Sequence, residues 1–325
     1  MLLWCVLPFS VIVSTRNRPA LVRRLIGSIL ENSNAISSLD QLIVIDSSKS
    51  TETEDVVSLF YEKLPVLFVK VDISATLPQK RNTAIGYLVG KSEVVFFLDD
   101  DVEVDRDFFQ NCFASFKNPK VVGVGGKDIN KVIKKPKRWQ IFFNLTSSRQ
   151  GVILSSGQNV EYADSDEDME VEWISGCVMA FRTSLLKKIR FDENRHFDGE
   201  DVDFTYRASK FGTLICSPNA KYQHSSSLSN LPNKNHRIRD LIAHRCMLAL
   251  YTDGKVRFGP TYLSILVLGL AMFAKGLRTR DLLTVYLGVK HIVLGLLSPL
   301  YVAYLLLGSH NSRRIDPSKA ESRLA

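Results

Sequence analysis

The chain has 325 residues, of which 45% are hydrophobic and 23% are charged, so it can bury a core and does not have the composition of a disordered protein. Its 42 basic and 34 acidic residues give a net charge of +8, and the basic excess towards the C-terminal part favours contact with an anionic surface. The five cysteines are scattered without paired spacing, which predicts buried thiols in a reducing compartment and argues against a disulfide framework or a zinc site.

From the N-terminus onwards, apolar strands alternate with amphipathic helices. Strands are predicted over residues 6–13, 42–45, 66–71 and 94–98. The apolar faces of two intervening helices are formed by Leu21, Leu25 and Ile29, and by Ala84, Ile85, Leu88 and Val89. Such alternation is typical of an α/β protein with a mostly parallel sheet covered by helices on both sides, in which ligands bind beyond the carboxyl ends of the strands.

Polar clusters follow three of these strands, at residues 14–17, 46–48 and 99–101. The last is the most informative, because five apolar residues run directly into Asp99, Asp100 and Asp101. Adjacent carboxylates repel one another unless a cation lies among them, and hard oxygen ligands select Mg²⁺ or Mn²⁺. The triplet therefore predicts a metal bound to phosphate at this edge of the sheet.

The acidic triplet is also compatible with a plain turn or, at first sight, with a calcium-binding loop. A solvated turn after a strand accounts for any one polar cluster, because Asp is common in turns. A calcium-binding loop would fit the alternating acids that follow, but Val104 stands where that loop needs Gly and Gln110 where it needs a bidentate Glu.

The middle of the chain is less regular. A basic run over 131–138 and an acidic run over 164–172 are typical of solvated loops. A strand is then predicted through Phe181, and a helix begins at Glu200 and Asp201 and ends before Gly212.

The composition changes after about residue 235. Apolar stretches over 261–274 and 282–308 are flanked by basic residues, which favours contact with an anionic cytoplasmic leaflet. The first stretch is short for a membrane span, and the second contains Lys290, His291 and Pro299, so a span and a hairpin lying on the surface both remain possible. We expect a catalytic domain over 1–235 and a membrane-associating helical region over 236–325.

Short motifs occur in a set order over about residues 5–230, and together they resemble the family 2 glycosyltransferases. They are Ser14-Thr15-Arg16-Asn17-Arg18-Pro19, Asp46, Lys80-Arg81-Asn82, Asp99-Asp100-Asp101, Gly176, Gly199-Glu200-Asp201 and His224. The resemblance implies the nucleotide-sugar-binding GT-A fold, which is Rossmann-like, here with a C-terminal hydrophobic helical extension.

The resemblance also implies how a nucleotide-sugar donor is bound. Asp46 corresponds to the carboxylate that hydrogen-bonds the nucleotide base, with Thr15 and Arg16 beside it. Arg81 and Asn82 correspond to a pair that contacts the nucleotide.

The acidic triplet corresponds to the D-x-D motif of the family. Asp99 is then placed near the ribose and the metal, Asp100 in the donor site, and Asp101 as a direct metal ligand. His224 matches the late histidine that closes over the metal or the diphosphate, and Mn²⁺ or Mg²⁺ is the implied cofactor.

On the acceptor side, Asp201 is the expected general base, because the attacking hydroxyl must lose a proton. Glu200 is expected to hold the acceptor or to orient Asp201, although acids at a helix start can also serve a purely structural role. Gly176 would let the backbone approach the donor sugar or the acceptor, and Trp173 either stacks on a sugar or belongs to the core. The family precedent is inversion at the anomeric carbon.

We therefore expect transfer of a single sugar to a sugar or lipid-linked acceptor at the cytoplasmic side of the membrane, since no Q-x-x-R-W signature of processive enzymes follows His224. A nucleotidyltransferase of related fold would be expected to carry a Gly-rich loop after the first strand, and residues 14–19 contain no Gly. A non-catalytic, membrane-anchored binding protein would not need to keep Asp99, Asp101 and Asp201. Nucleic-acid binding is disfavoured, because the basic residues show no interleaved aromatic platform.

Overall fold

The computed structural model describes residues 7–132, 135–162, 165–193, 199–225 and 234–308. Parts of some predicted features, at Cys5, at residue 6 of the first strand and within the two charged runs, lie outside this described part. The chain divides into two compact units. Unit 1 comprises Met1–Phe142, Thr146–Leu154 and Gln158–Pro232, and unit 2 comprises Phe143–Leu145, Ser155–Gly157 and Asn233–Ala325.

Unit 1 is built on one sheet flanked by helices. Its strands are β1 (Phe9–Thr15), β2 (Leu39–Asp46), β3 (Val66–Lys70), β4 (Val94–Asp99), β5 (Val102–Val104), β6 (Val121–Asp128), β7 (Met169–Val171), β8 (Val178–Arg182) and β9 (Thr213–His224). Its helices are α1 (Pro19–Leu30), α2 (Ser33–Ile36), α3 (Glu52–Ser58), α4 (Leu77–Gly86), α5 (Phe108–Phe116), α6 (Arg138–Phe142), α7 (Thr183–Leu186) and α8 (Glu200–Ala208). The strand order is β3-β2-β1-β4-β8-β6-β9-β5, and β7 pairs with β9.

The N-terminal half of the sheet is parallel, as the alternation of strands and helices predicts. β1 lies between β2 and β4 and runs parallel to both, and β3 pairs in parallel with β2. The register places Thr15 opposite Asp46 and Ser14 opposite Asp99. The three polar clusters therefore meet at one edge of the sheet.

The other half of the sheet is mixed, so the sheet as a whole is not mostly parallel. β8 runs antiparallel to β4, with Val178 opposite Leu98, and β5 runs antiparallel to β9, with Val102 opposite His224. An antiparallel partner brings the start of one strand beside the end of the other. Residues just before β8 and at the end of β9 consequently reach the same edge as the acidic triplet.

A cluster of aromatic rings packs between the sheet and helix α5. Phe9 and Phe96 contact Phe109 and Phe113 at centroid distances of 4.8 to 5.8 Å, mostly edge to face. Such pairs add stability beyond the area they bury. This packing supports the strands that end at Thr15 and Asp99.

The predicted helical faces are confirmed in one helix and corrected in the other. In α1 the buried face includes Leu25 and Ile29, and Leu21 is half-buried. α4 ends at Gly86, so Leu88 and Val89 are not on its face, and Val89 is 68% exposed. α4 begins after the capping box at Thr76 and ends at Gly86, so its buried face ends there too.

Unit 2 contains three helices, α9 (Lys234–Tyr251), α10 (Phe258–Thr279) and α11 (Leu282–Gly308). Glycines let α10 and α11 approach closely: a Cβ added to Gly276 would lie 2.5 Å from the Val285 nitrogen, and one added to Gly288 would lie 2.5 Å from the Phe273 nitrogen. Small residues at helix interfaces permit this backbone approach.

In unit 2, α10 is longer than the apolar stretch 261–274 that predicted it, and α11 has the bounds of the predicted stretch 282–308. α10 has 22 residues, and α11 continues through positions 290, 291 and 299. Among the described residues, α10 is the one helix that is long and apolar enough to cross a membrane, and a core helix of a soluble protein can have the same composition.

Candidate active site

Asp46, at the end of β2, is fully buried and its charge is compensated. It accepts hydrogen bonds from the backbone nitrogen and the hydroxyl of Ser48 and from Lys70 Nζ at 2.8 Å. Lys70 is its partner in the register of β2 and β3. Sequence reasoning missed this lysine, because the pairing depends on how β3 aligns with β2.

Asp100 turns inward beneath the loop between β1 and α1. Thr15 donates to Asp100 Oδ2 at 2.6 Å, and Arg18 Nη1 donates to Oδ1 at 2.8 Å. Burial raises the pKa of Asp100, and the bonds from Thr15 and Arg18 oppose this shift. Both carboxylate oxygens therefore hold the loop in place, while Arg16 is exposed beside it.

Asp101 pairs with His224. His224 Nε2 lies 3.2 Å from Asp101 Oδ1, and the side chains are 29% and 13% exposed. Burial opposes ionisation of Asp101, but the hydrogen bond and charge of His224 and the charge of Arg18 outweigh it and lower its pKa. The hydrogen bond to Asp101 in turn raises the pKa of His224.

The Asp101 carboxylate, beside His224, is an oxygen ligand of the type that Mg²⁺ and Mn²⁺ prefer. The described residues contain no group of three or more His, Cys, Asp and Glu side chains placed to hold a metal by themselves. Mg²⁺ in phosphate-transfer sites is commonly held by one or two carboxylates and completed by substrate oxygens, and Mn²⁺ also takes carboxylate ligands. A partly exposed carboxylate beside an imidazole supplies donors of the right kind.

Arg81 links the acidic triplet to the start of α8. Its side chain is 2% exposed, and its nitrogens lie 3.2 Å from Asp99 Oδ1 and 3.1 Å from Glu200 Oε1. It also donates to the Gly176 carbonyl at 3.0 Å and lies over the Phe191 ring. The guanidinium thus contacts protein groups on several sides.

Asp99 is the carboxylate of the triplet that faces Arg81. Burial raises its pKa to about 6, Arg81 opposes the shift, and the charges of Asp101 and Asp100 add to it. Its backbone nitrogen donates to the Cys177 carbonyl at 2.9 Å. The residues before β8 are therefore joined to the end of β4 through the main chain as well as through Arg81.

Asp201 lies in the first turn of α8 and is held by backbone donors. Gly176 N donates to Asp201 Oδ2 at 2.7 Å, and Val202 N donates to Oδ1 at 2.8 Å. Burial raises the pKa of Asp201 to about 7, and the charge of Glu200 adds to this, against the two backbone donors. A carboxyl with a pKa near neutrality is suited to proton transfer.

Two glycines make this arrangement of Asp201 possible. Gly199 lies immediately before α8 and has a φ of 102°, a backbone conformation that residues with a side chain rarely adopt. A Cβ at Gly176 would lie 3.1 Å from Asp201 Cβ and 3.2 Å from its Oδ2. Gly176 therefore allows the close approach of Asp201, and its role beside the donor sugar or the acceptor stays a prediction.

Asn82 and Trp173 both make contacts within the protein. Asn82 Nδ2 donates to the Phe191 carbonyl at 2.9 Å and to Glu193 Oε1 at 2.8 Å, and its Oδ1 accepts from Phe191 N. Trp173 is 3% exposed and donates to the Val160 carbonyl at 3.0 Å. Trp173 is therefore a core residue and does not stack on a sugar.

Lys80 is a member of the site for which the sequence suggested no role. It is buried, and its Nζ donates to the Thr15 carbonyl at 3.2 Å. Burial lowers its pKa, and the negative charges of Asp100 and Asp46 oppose the shift. Its position directly before Arg81 on α4 is the sequence feature that could have indicated this role.

The site therefore combines acidic and basic side chains at one edge of the sheet with Asp201, a carboxylate whose pKa is raised. Asp46, the acidic triplet, His224, Arg81 and Asp201 all belong to unit 1. The ends of β1, β2, β4 and β9 and the start of β8 supply them or their partners. This is the edge at which parallel α/β sheets bind ligands.

Comparison with known proteins gives a family and a fold. The family model described as glycosyl transferase family 2 matches residues 10–190. A search of curated proteins found no match. Among solved structures, the mannosyltransferase PcManGT from Pyrobaculum calidifontis, in complex with GDP-Man and Mn²⁺, is 18% identical with a TM-score of 0.56, covering 94% of this chain and 81% of that one.

Two further solved structures share the fold. TarS 1-349 of S. aureus is 18% identical with a TM-score of 0.51, covering 85% of this chain and 88% of that one. GalNAc-T7 with UDP, GalNAc and Mn²⁺ is 13% identical with a TM-score of 0.60, covering 81% of this chain and 52% of that one. These likenesses agree with the mixed sheet of unit 1, and since the family model spans more than half of the 325 residues, the chain belongs to glycosyl transferase family 2 and has the GT-A fold.

Proposed function

We propose that this glycosyltransferase moves a single sugar from a nucleotide diphosphate sugar to an acceptor hydroxyl, in a metal-dependent reaction that inverts the anomeric carbon. One observation carries the proposal. Gly176 donates to Asp201 through its nitrogen and accepts from Arg81 through its oxygen, and Arg81 also contacts Asp99. A candidate base and a candidate diphosphate site are thereby held in one connected network.

The donor would bind along the ends of β1, β2 and β4. Thr15, Arg16 and Asp46 would line the nucleotide end, and Arg81 and Asn82 would act mainly by holding the surrounding loops. This division follows from the internal contacts of Arg81 and Asn82.

The diphosphate would lie at the acidic triplet. Asp101 and His224, with Asp99 nearby, would hold Mn²⁺ or Mg²⁺, and Asp100 would keep the β1–α1 loop against the donor. A bound divalent cation would supply charge neutralisation for the departing diphosphate. Arg18, which bridges Asp100 and Asp101, orders the carboxylates before the donor arrives.

Proton removal from the acceptor is assigned to Asp201. Its Oδ1 and Oδ2 are oriented by Val202 N and Gly176 N, and its raised pKa lets it both accept the proton and remain partly ionised near neutral pH. Glu200 raises the basicity of Asp201 by its charge and is itself held by Arg81. With Asp201 as base and the acceptor hydroxyl as nucleophile, the reaction would be a single displacement with inversion.

The acceptor is proposed to be lipid-linked or at the membrane surface. Residues 236–325 would associate with the cytoplasmic side of the membrane, supported by the length and composition of α10 and by the basic residues around it. Residues 1–235 would then form the catalytic domain.

The test is a panel of nucleotide sugars incubated with the purified full chain and Mn²⁺ or Mg²⁺. We expect donor hydrolysis or transfer with one donor class, loss of metal-dependent donor binding in Asp101→Asn, and retained binding with turnover reduced about 10² to 10⁴-fold in Asp201→Asn. NMR of the product should show the opposite anomeric configuration to the donor.

Asp203→Asn is the matched control, because Asp203 lies on the same helix and pairs with Arg207. It should keep turnover near that of the parent. Parent-like turnover in Asp201→Asn would disprove the base assignment, and activity unchanged by excess chelator would disprove the metal. If no donor is bound or consumed, the non-catalytic alternative is favoured.

A further inference from the structure

The segment that follows β6 carries an exposed apolar and basic surface that the proposed reaction does not use. We define the β6–α6 surface by three apolar side chains and three basic ones. They are Val132, Trp139 and Ile141, and Lys135, Lys137 and Arg138. Val132 is 84% exposed, Trp139 40% and Ile141 42%.

The basic side chains of this surface reach into solvent. Lys135, Lys137 and Arg138 are exposed, and none of them pairs with a carboxylate in the described part of the chain. Lys131, which precedes them, is paired with Glu161. Exposed apolar side chains beside cations suit contact with the surface of an anionic membrane.

The β6–α6 surface begins at the edge of the sheet that carries the candidate site. Ile129 N donates to the Tyr222 carbonyl at 2.9 Å, and Asn130 Nδ2 donates to the His224 carbonyl at 3.4 Å. The segment therefore leaves the sheet directly beside the end of β9.

We propose that the β6–α6 surface binds the headgroup region of an anionic phospholipid bilayer. Trp is the side chain best suited to the boundary between headgroups and acyl chains, because its ring is apolar and its N–H is polar. The three cations complement the negative surface of such a membrane. Contact here would hold unit 1 at the membrane surface, independently of any insertion by α10.

This inference is separate from the proposed sugar transfer. A lipid-binding surface on unit 1 does not require Asp101 or Asp201, and donor hydrolysis in solution does not require lipid. Failure of one is therefore distinguishable from failure of the other.

Trp139 provides a direct probe in the full chain, which contains three tryptophans. Trp173 is buried in unit 1, and the difference in emission between the parent and Trp139→Phe isolates the signal of Trp139. The protein is mixed with phosphatidylcholine vesicles with and without phosphatidylglycerol, and with vesicles carrying a quencher on the acyl chain.

We expect the Trp139 signal to shift to shorter wavelength and to be quenched, with phosphatidylglycerol strengthening the effect. Each charge removed should weaken binding about fivefold, so Lys135→Gln, Lys137→Gln and Arg138→Gln combined should weaken it on the order of 100-fold. The matched control replaces three exposed lysines elsewhere on unit 1 by Gln: Lys63, Lys117 and Lys120. This control has the same net charge as the triple variant and should bind the vesicles as the parent does.

Two results would overturn the proposal. In the first, the full chain sediments with vesicles while the Trp139 signal stays unshifted and unquenched, so that the membrane is contacted elsewhere. In the second, the Trp139 signal shifts with protein concentration in the absence of lipid, which would make a second copy of the chain the partner of this surface. Donor hydrolysis should be equal in the parent, the triple variant and the control.

Discussion

Replacing Arg81 by Met should destabilise unit 1 more than any other single change at the site. The substitution keeps most of the side-chain volume and removes the charge. It leaves Asp99 and Glu200 without their cation, at present 3.2 and 3.1 Å away, and the Gly176 carbonyl without a donor at 3.0 Å.

The expected loss follows from the exposure of these groups. Removing one partner of a buried ion pair costs about 3–5 kcal/mol. The Asp99 side chain is 30% exposed and that of Glu200 16%, so water can partly solvate both, which favours the lower end of the range. Adding about 1 kcal/mol for the carbonyl gives a loss of about 3 to 4 kcal/mol in the free energy of unfolding.

The measurement is urea unfolding of the purified full chain, followed by the fluorescence of Trp173 in the core of unit 1. Arg81→Lys should recover part of the loss, because one ammonium cannot reach all three acceptors as the planar guanidinium does. Arg24→Met is the control, since its side chain is 49% exposed and that of its partner Glu103 is 36% exposed, and it should cost about 1 kcal/mol or less. If the free energy of unfolding of Arg81→Met lies within about 1 kcal/mol of that of the parent, the contacts of Arg81 do not stabilise the site.

Three further changes test the site. Gly176→Ala places a methyl group 3.1 to 3.3 Å from atoms of Asp201. Turnover should therefore fall roughly tenfold, while the donor affinity measured by calorimetry should not change. Unchanged turnover would mean that Asp201 tolerates displacement. Turnover of the parent should rise with pH through about 7, as Asp201 ionises. Glu200→Gln should move this rise to lower pH, because it removes a like charge that raises the pKa of Asp201. If turnover of Glu200→Gln rose at the same pH as that of the parent, this explanation would be wrong. Lys70→Met should destabilise the chain by about 2 kcal/mol in urea unfolding, because Asp46 loses a charge-assisted bond, whereas Lys70→Arg should remain close to the parent.

Much of the fold was predictable because it depends on local pattern. The apolar run 94–98 and the three aspartates after it indicated a buried strand that ends in a ligand-binding edge, and β4 ends at Asp99. The alternation of strands and helices before it predicted parallel neighbours, and β1 is parallel to β2 and β4. Periodicity and strand-end chemistry are properties of neighbouring residues, so they can be read from the sequence.

The different roles within the acidic triplet were decided by the tertiary structure. Asp100 accepts hydrogen bonds from Thr15 and Arg18, and Asp101 is paired with His224. These partners come from β1, the loop before α1, and β9, and no pattern around the triplet identifies them.

The sequence by itself determined which residue types stand at the strand ends: carboxylates, an arginine and a late histidine. Only the tertiary structure decided that β8 runs antiparallel to β4, so that Gly176 reaches Asp201, and that Arg81 contacts Glu200 across 119 positions of the chain. The physical reason is that pairing register and side-chain contacts between distant segments are set by the packing of the whole sheet, whereas the periodicity of a segment reflects only which of its own faces is buried.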